Sequence, residues 1–174
     1  MLDVITIVSD TTPRQFVTEC RASIQRAIAQ CPYPVNAIET PGVPGHIGQA
    51  MAAGIAASSA EYIAFVDDDD FVLPNAFACL ERHFDRKPTA ICAREIAWLA
   101  NGRIVPSDRR HHLTAFRRDI VEAAALEANP ATPNVDLLAA AAAQVVDELS
   151  WVYVHRIYRS AGMKLRGARR GVRS

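Results

Sequence analysis

The sequence carries no excess charge of either sign: 19 Lys and Arg residues stand against 19 Asp and Glu in a chain of 174. That balance excludes a protein whose whole surface is built to neutralise nucleic acid. Cysteine is sparse and wrongly spaced for metal or redox work. Cys20, Cys31, Cys79 and Cys92 never stand two to four residues apart, so neither a zinc knuckle nor a redox pair is present. Cys20 and Cys79 fall on apolar helix faces, where thiols pack as small hydrophobes. No basic segment followed by a hydrophobic run opens the chain, and no stretch approaches about 18 consecutive apolar residues. The expectation is a cytoplasmic protein with reduced thiols and no transmembrane segment. Glycine is missing from Ser9-Asp10-Thr11-Thr12-Pro13-Arg14, the segment after the first apolar run. A sugar-nucleotide nucleotidyltransferase needs a glycine-rich, phosphate-cradling loop there, which counts against that class.

What is present is an ordinary globular composition, 50% apolar and 22% charged, at a length that suits one core. Val4 to Val8 is a short β-branched run, read as a buried strand. Thr12, Pro13 and Gln15 form a helix start with a capping box, followed by apolar residues at helical spacing until Pro32 and Pro34. Val35 to Glu39 reads as a second strand. A loop with Pro41, Gly42, Pro44 and Gly45 leads to a second helix through Ile47, Met51 and Ile55. Tyr62 to Val66 is a third strand, and Pro74 opens a third helix. Three strand-helix alternations predict a parallel sheet covered by helices, in which ligands bind beyond the carboxyl ends of the strands.

The later half reads differently. Thr89 to Ala93 is a short strand. Glu95 to Leu99 and Arg103 to Val105 flank an Asn101-Gly102 hairpin turn. Leu113 to Arg117 is a strand, followed by a helix capped by Asp119. Asn129 to Asn134 is a loop, Asp136 to Gln144 an alanine-rich helix, and Trp151 to Val154 a strand. The predicted fold is α/β, a mainly parallel central sheet flanked by helices with a small antiparallel portion in the second half.

The third strand runs straight into Asp67-Asp68-Asp69-Asp70. Adjacent carboxylates raise one another's pKa unless a cation neutralises them, and oxygen ligands suit Mg2+, Mn2+ or Ca2+. Acidic runs are usually solvated loops. This one is pinned between a buried strand and Phe71-Val72-Leu73-Pro74, which favours a site.

The stretch Glu61-Tyr62-Ile63-Ala64-Phe65-Val66 through Asp67-Asp70 to Leu73-Pro74 resembles the hallmark of the family 2 glycosyltransferases, which have the GT-A fold. The opening strand with Ser9 and the helix carrying Gly54 also match. Phe116-Arg117-Arg118, Val135-Asp136-Leu137-Leu138 and Val152-Tyr153-Val154-His155-Arg156 match more faintly, in the family's order. The resemblance spans roughly residues 3 to 158. It implies a single domain in which residues 1–88 bind a nucleotide-sugar, residues 89–158 form the acceptor half and residues 159–174 are a basic tail. It implies that Asp67 contacts the ribose or the metal, Asp68 contributes to the nucleotide-sugar site, and Asp69 is the principal metal ligand. Glu39 stands near the acidic residue that reads the base, Ser9 lines the nucleotide pocket, and Asp136 is the general base of an inverting transfer. The metal is Mn2+ or Mg2+ and the donor a UDP- or GDP-sugar. Two departures bear on the nucleotide: Glu39-Thr40 replaces a pair of aspartates, and Met51-Ala52 replaces an Arg-Asn pair.

Other residues keep two readings. Asp136 also suits a helix first turn. His155 is either a packed strand residue or a metal or diphosphate contact. His111 and His112 read as loop residues, with acceptor binding the sharper alternative. His46 reads as a helix start, and Trp98 and Trp151 as packing. From Arg156 onward the chain has seven basic residues and no acidic one. That is either a solvated tail or a contact for an anionic acceptor, such as a saccharide, lipid-linked sugar or modified nucleic acid. A non-catalytic accessory protein retaining the fold is the rival reading from another class.

Overall fold

The computed structural model describes residues 1–107, 112–127 and 135–157, apart from the side chains of 127, 136 and 137. The expected 129–134 loop and the basic tail 159–174 lie outside these residues. β1 (Leu2–Val8) pairs in parallel with β2 (Val35–Pro41) on one side and β3 (Tyr62–Phe65) on the other. α1 (Arg14–Gln30) and α2 (Ile47–Ala57) are the crossovers. α2 lies so close to β1 that a Cβ on Gly54 would stand 2.5 Å from Ile5 Cγ2. Asp3 ties this half together. Its carboxylate accepts from Ser58 Oγ at 2.6 Å, the Ser59 and Ala60 amides at 2.8 and 3.0 Å, and Asn36 Nδ2 at 2.9 Å.

The second half extends the same sheet. β4 (Phe71–Val72), β5 (Ala90–Leu99), β6 (Ile104–Ser107), β7 (Thr114–Arg117) and β8 (Val145–Ile157) give the order β2-β1-β3-β7-β5-β8-β4, with β6 on β5. β7 is antiparallel to both β3 and β5, while the long β5–β8 pairing is parallel. The β1–β2 and β1–β3 registers are parallel, as the strand-helix alternation predicts, whereas the parallel β5–β8 pairing lies outside that alternation. α3 (Ala76–Glu81), α4 (Arg118–Glu127) and α5 (Val135–Ala142) complete the helices. Two apolar clusters form, one on each face of the sheet's centre: Tyr62, Phe77, Leu80 and Tyr153 belong to one, and Ile5, Ile63, Phe116 and Val121 to the other. Among the described residues no helix is long and apolar enough to cross a membrane.

Three expectations are corrected. Thr12 does not cap α1: its hydroxyl donates to Asp68 Oδ1 at 3.0 Å, and Gln15 donates to Glu19. The two strand pieces 89–93 and 95–99 are one strand, β5, with register shifts at Cys92, Arg94 and Glu95. β8 begins six residues earlier than Trp151 because its polar first half, through Asp147 and Glu148, continues the pairing with β5.

Candidate functional site

The carboxyl ends of β1, β2 and β3 open on one sheet edge, because the three strands are parallel. Beyond β1 and β2 lies a cavity of about 500 Å³, lined by Ile7, Ser9, Thr11, Gly42, Val43 and Pro44 among others. Gly42 lies close to the β1 end, where a Cβ would press on Val8 O at 3.1 Å and Ser9 Cα at 3.2 Å. Beyond β3 the four aspartates form a turn closed by the Asp70 amide on Asp67 O, 3.1 Å away.

The turn sends its carboxylates to different places. Asp70 is fully buried. Its Oδ2 accepts from Tyr153 Oη at 2.7 Å and pairs with His155 Nδ1 at 2.9 Å, and its Oδ1 accepts the Arg156 amide at 2.6 Å. Asp68 is also buried: Oδ2 takes the Ser9 amide at 2.7 Å and Oδ1 the Thr12 hydroxyl. Asp68 was expected to touch the nucleotide-sugar. The structure turns it inward instead, as a clasp between the turn and the β1–α1 loop. Asp67 is exposed and Asp69 half-buried, so these two carry the carboxylates nearest solvent. Hydrogen bonds thus relieve the charge on two of the four residues, and only part of the run's repulsion is left for a cation.

The turn is held from beneath. Cys20 Sγ donates to Asp67 O at 3.4 Å, and the Asp67 amide donates to Tyr153 Oη at 3.3 Å. Burial, with the charges of Asp68, Asp70 and Asp67, pushes the Cys20 thiol up to about 12, so it is a packing group and not a nucleophile. Burial and the nearby Asp67 and Asp70 charges push the Tyr153 phenol well above its ordinary value, which keeps its proton available to Asp70.

His112 completes the cluster. It lies in the turn before β7, as the loop reading has it, but it is buried, with its Nδ1 2.6 Å from Glu95 Oε2 and its Nε2 3.5 Å from Asp67 Oδ2. Its ring stacks against those of Tyr153 and His155, with centroids 5.1 and 4.8 Å away. Glu95 is fully buried and also accepts from Ser107 Oγ. Burial alone would raise the Glu95 carboxyl, but the bonds from His112 and Ser107 outweigh it and hold the group below the usual carboxylate range. A signal for Glu95 existed: it shares the core face of β5 with Ala93 and Ala97, and a carboxylate there requires partners.

The donor chemistry fits a divalent cation. One ligand atom from each of Asp67, Asp69 and Asp70 lies within 4.8 Å of the others, and the same holds for Asp70, His112 and His155. A single ion with bonds of about 2.0–2.6 Å spans such a group. The other expected residues fall as follows. Ser9 lies in the cavity lining and bonds Thr11 through its hydroxyl. Glu39 is held in a two-point pair by Arg21 of α1, at 2.7 and 2.8 Å, and is not among the cavity lining. Met51 is buried against the sheet and Thr40 donates to Ala50 O, so these two side chains face the interior. Asp136 is the second residue of α5, and its side chain lies outside the described set. Arg156, counted with the basic tail, sits inside the sheet: it is buried, paired with Glu19 at 2.5 Å and stacked on Phe16 at 4.1 Å. Trp98 and Trp151 are both about two-fifths exposed, packed by Phe71 and Arg94 respectively.

Comparison with known proteins places this architecture. The family described as Glycosyl transferase family 2 matches residues 9–130, well over half of the chain. The chain belongs to glycosyl transferase family 2. A search of curated proteins found no match. Among solved structures, TarS 1–349 of S. aureus in complex with UDP-GlcNAc superposes with a TM-score of 0.65 at 13% identity, covering 91% of this chain and 59% of that one. The same TarS fragment without a named ligand gives 0.63 at 12%, covering 89% and 60%. The bifunctional IspDF of Campylobacter jejuni gives 0.57 at 11%, covering 86% and 49%. At these identities the likeness establishes the fold, a mixed α/β sheet flanked by helices of the GT-A kind. This chain spans about 60% of the S. aureus fragment's length.

Proposed function

We propose that the protein transfers a sugar from a nucleotide-sugar to an acceptor hydroxyl, beside a divalent metal held at the Asp67–Asp70 turn. The observation that carries this reading is one of placement: in a chain of this family, the cavity at the ends of β1 and β2 and the acidic turn at the end of β3 share one sheet edge. That edge is where ligands bind in open α/β sheets. Residues 1–88 hold the donor in this reading and residues 89–158 face the acceptor.

Each group then has a task. The cavity's apolar walls and Ser9 receive the nucleoside, at the tip of the β1–α1 loop that the Asp68 clasp fixes. Asp67 and Asp69, with Asp70 and His155 behind them, hold Mn2+ or Mg2+. Bound there, the ion offsets negative charge on the departing diphosphate. Asp136, at the start of α5, takes the acceptor proton, and attack from the face opposite the leaving group gives inversion. The S. aureus fold neighbour was solved with UDP-GlcNAc, which makes UDP-sugars the first donors to test, ahead of GDP-sugars. The basic residues of the tail make an anionic acceptor the first class to screen among saccharides, lipid-linked sugars and modified nucleic acids.

The test is a thermal-shift series with UDP, GDP and UDP-GlcNAc, with and without Mn2+, followed by donor hydrolysis. A nucleoside diphosphate at 100 times its Kd should stabilise the protein by about 2.7 kcal/mol, and the effect should need the metal. Asp69→Asn should remove the metal requirement's benefit while the fold survives. Absence of any nucleotide-dependent shift would overturn the reading in favour of an accessory protein that keeps only the fold.

A further inference from the structure

We propose that His112, aimed by Glu95, is a nitrogen ligand of the metal at the Asp67–Asp70 turn, and that its imidazole biases the centre toward first-row transition ions over Mg2+ and Ca2+. The inference rests on the reading that a metal binds at this turn.

The geometry has three parts. The Glu95 carboxylate is an acceptor, fully buried and already bonded by Ser107, so at 2.6 Å the Nδ1 of His112 is the donor. In a neutral imidazole with Nδ1 protonated, the lone pair is on Nε2. That atom faces the turn, 3.5 Å from Asp67 Oδ2. The ligand atoms of His112, His155 and Asp70 lie within 4.8 Å of one another, and Asp70 also belongs to the group formed with Asp67 and Asp69. A buried carboxylate on the far nitrogen of an imidazole is the arrangement that orients metal-binding histidines and raises their basicity.

An ordinary core histidine needs one partner. This one has a buried carboxylate on one nitrogen, a solvent-side carboxylate near the other, and two aromatic rings fixing its plane.

The selectivity follows from donor type. Carboxylates and water suit Mg2+, Ca2+ and Mn2+ alike, whereas imidazole nitrogen adds affinity along the transition series. The His112 imidazole therefore separates Mn2+ and Co2+ from Mg2+ and Ca2+.

The experiment measures metal binding on the full chain, without donor or acceptor. Calorimetry with Mn2+, Co2+ and Mg2+ compares wild type, His112→Gln and Glu95→Gln, with circular dichroism checking the fold. His112→Gln should weaken Mn2+ and Co2+ at least tenfold and change Mg2+ by less than about threefold. Glu95→Gln, which keeps the imidazole, should weaken Mn2+ by about tenfold, the low end for loss of an orienting partner. Pulsed EPR on Mn2+-loaded His155→Gln needs no change at His112, and the nitrogen coupling should persist there. Wild-type Mn2+ binding with an unchanged affinity in His112→Gln, or loss of all nitrogen coupling in His155→Gln, overturns the proposal and leaves the metal reading standing. Wild-type protein that binds none of these ions overturns both.

Discussion

Replacing Asp70 by asparagine tests whether the acidic run contains a structural anchor as well as chemistry. The carboxylate is fully buried and engaged by Tyr153 Oη, His155 Nδ1 and the Arg156 amide at 2.7, 2.9 and 2.6 Å. Asparagine keeps one acceptor oxygen. If that oxygen stays on the Arg156 amide, an NH2 group faces Tyr153 Oη, which already accepts the Asp67 amide, and His155 Nδ1. One strong bond is lost and another reversed. Hydrogen bonds to a charged group are worth about 1.5–3 kcal/mol each, so a net loss of about 3 kcal/mol follows. For a chain of this size 1 kcal/mol moves Tm by about 2–4 °C, which sets a fall of about 6–12 °C. The assay is thermal unfolding by circular dichroism in EDTA, so that metal binding contributes nothing. Asp69→Asn, at a half-buried position, is the control and should cost under about 1 kcal/mol. A melting point for Asp70→Asn within 2 °C of wild type would refute the anchoring role.

Four further outcomes are expected. Thr12→Val removes the hydroxyl on Asp68 Oδ1 and should cost about 1 kcal/mol in urea unfolding, although Thr12 lies outside any helix cap. Gly54→Ala drives a Cβ to 2.5 Å from the buried Ile5 and should cost about 1–3 kcal/mol, read by the same melts. Burial would raise the Asp3 carboxyl, but Ser58, Asn36 and the Ser59 and Ala60 amides outweigh it and lower it; its folded pKa is depressed, so its stabilisation is full above the unfolded value near 3.9 and fades as pH falls through the folded one. The stability gap between wild type and Asp3→Asn should therefore be widest at pH 7 and narrow below about pH 4, and a gap that widens in acid would contradict it. Asp136→Asn should leave nucleotide and metal affinity nearly unchanged while transfer falls at least about a hundredfold, because a base acts in the chemical step; near-normal turnover with saturating acceptor would remove the assignment.

The first half of the fold was legible because each element there is a pure pattern with a clear stop. Val4 to Val8 is β-branched throughout and Tyr62 to Phe65 is an uninterrupted apolar run, and Pro32, Pro34 and Gly42 punctuate them. The second half mixes the signals. β5 carries Arg94 and Glu95 in its middle, and a polar pair inside a strand reads as a break unless the partners of that pair are known. β8 carries Asp147, Glu148 and Ser150, so only its apolar end looked like a strand, though Glu148 is buried against His83 at 2.8 Å. β4 is two residues long and has no period to detect. Thr12 misled for a related reason: its local neighbours offered a cap, and a carboxylate 56 residues away offered a stronger bond.

The placement of the four aspartates at a strand end was legible in sequence, and a strand end in a parallel sheet is where ligands sit. The division of labour among them did not. Along Asp67 to Asp70 the exposure alternates, with Asp67 and Asp69 toward solvent and Asp68 and Asp70 inside. The run is a turn closed by the Asp70 amide on Asp67 O, so the turn and its partners, not a strand period, set which carboxylates face inward. The inward pair is consumed by scaffold bonds, Asp68 to the β1–α1 loop and Asp70 to β8. The outward pair is spaced i and i+2, so two carboxylates emerge on one side with a fixed backbone beneath them. A freely solvated Asp-x-Asp segment would have to order that backbone on binding a cation, at about 1–2 kcal/mol per residue. Here folding has already ordered it, and the buried aspartates are what hold it. Conservative changes at Asp68 or Asp70 should therefore weaken metal binding as well as stability, even though Asp68 turns away from the exposed side of the turn.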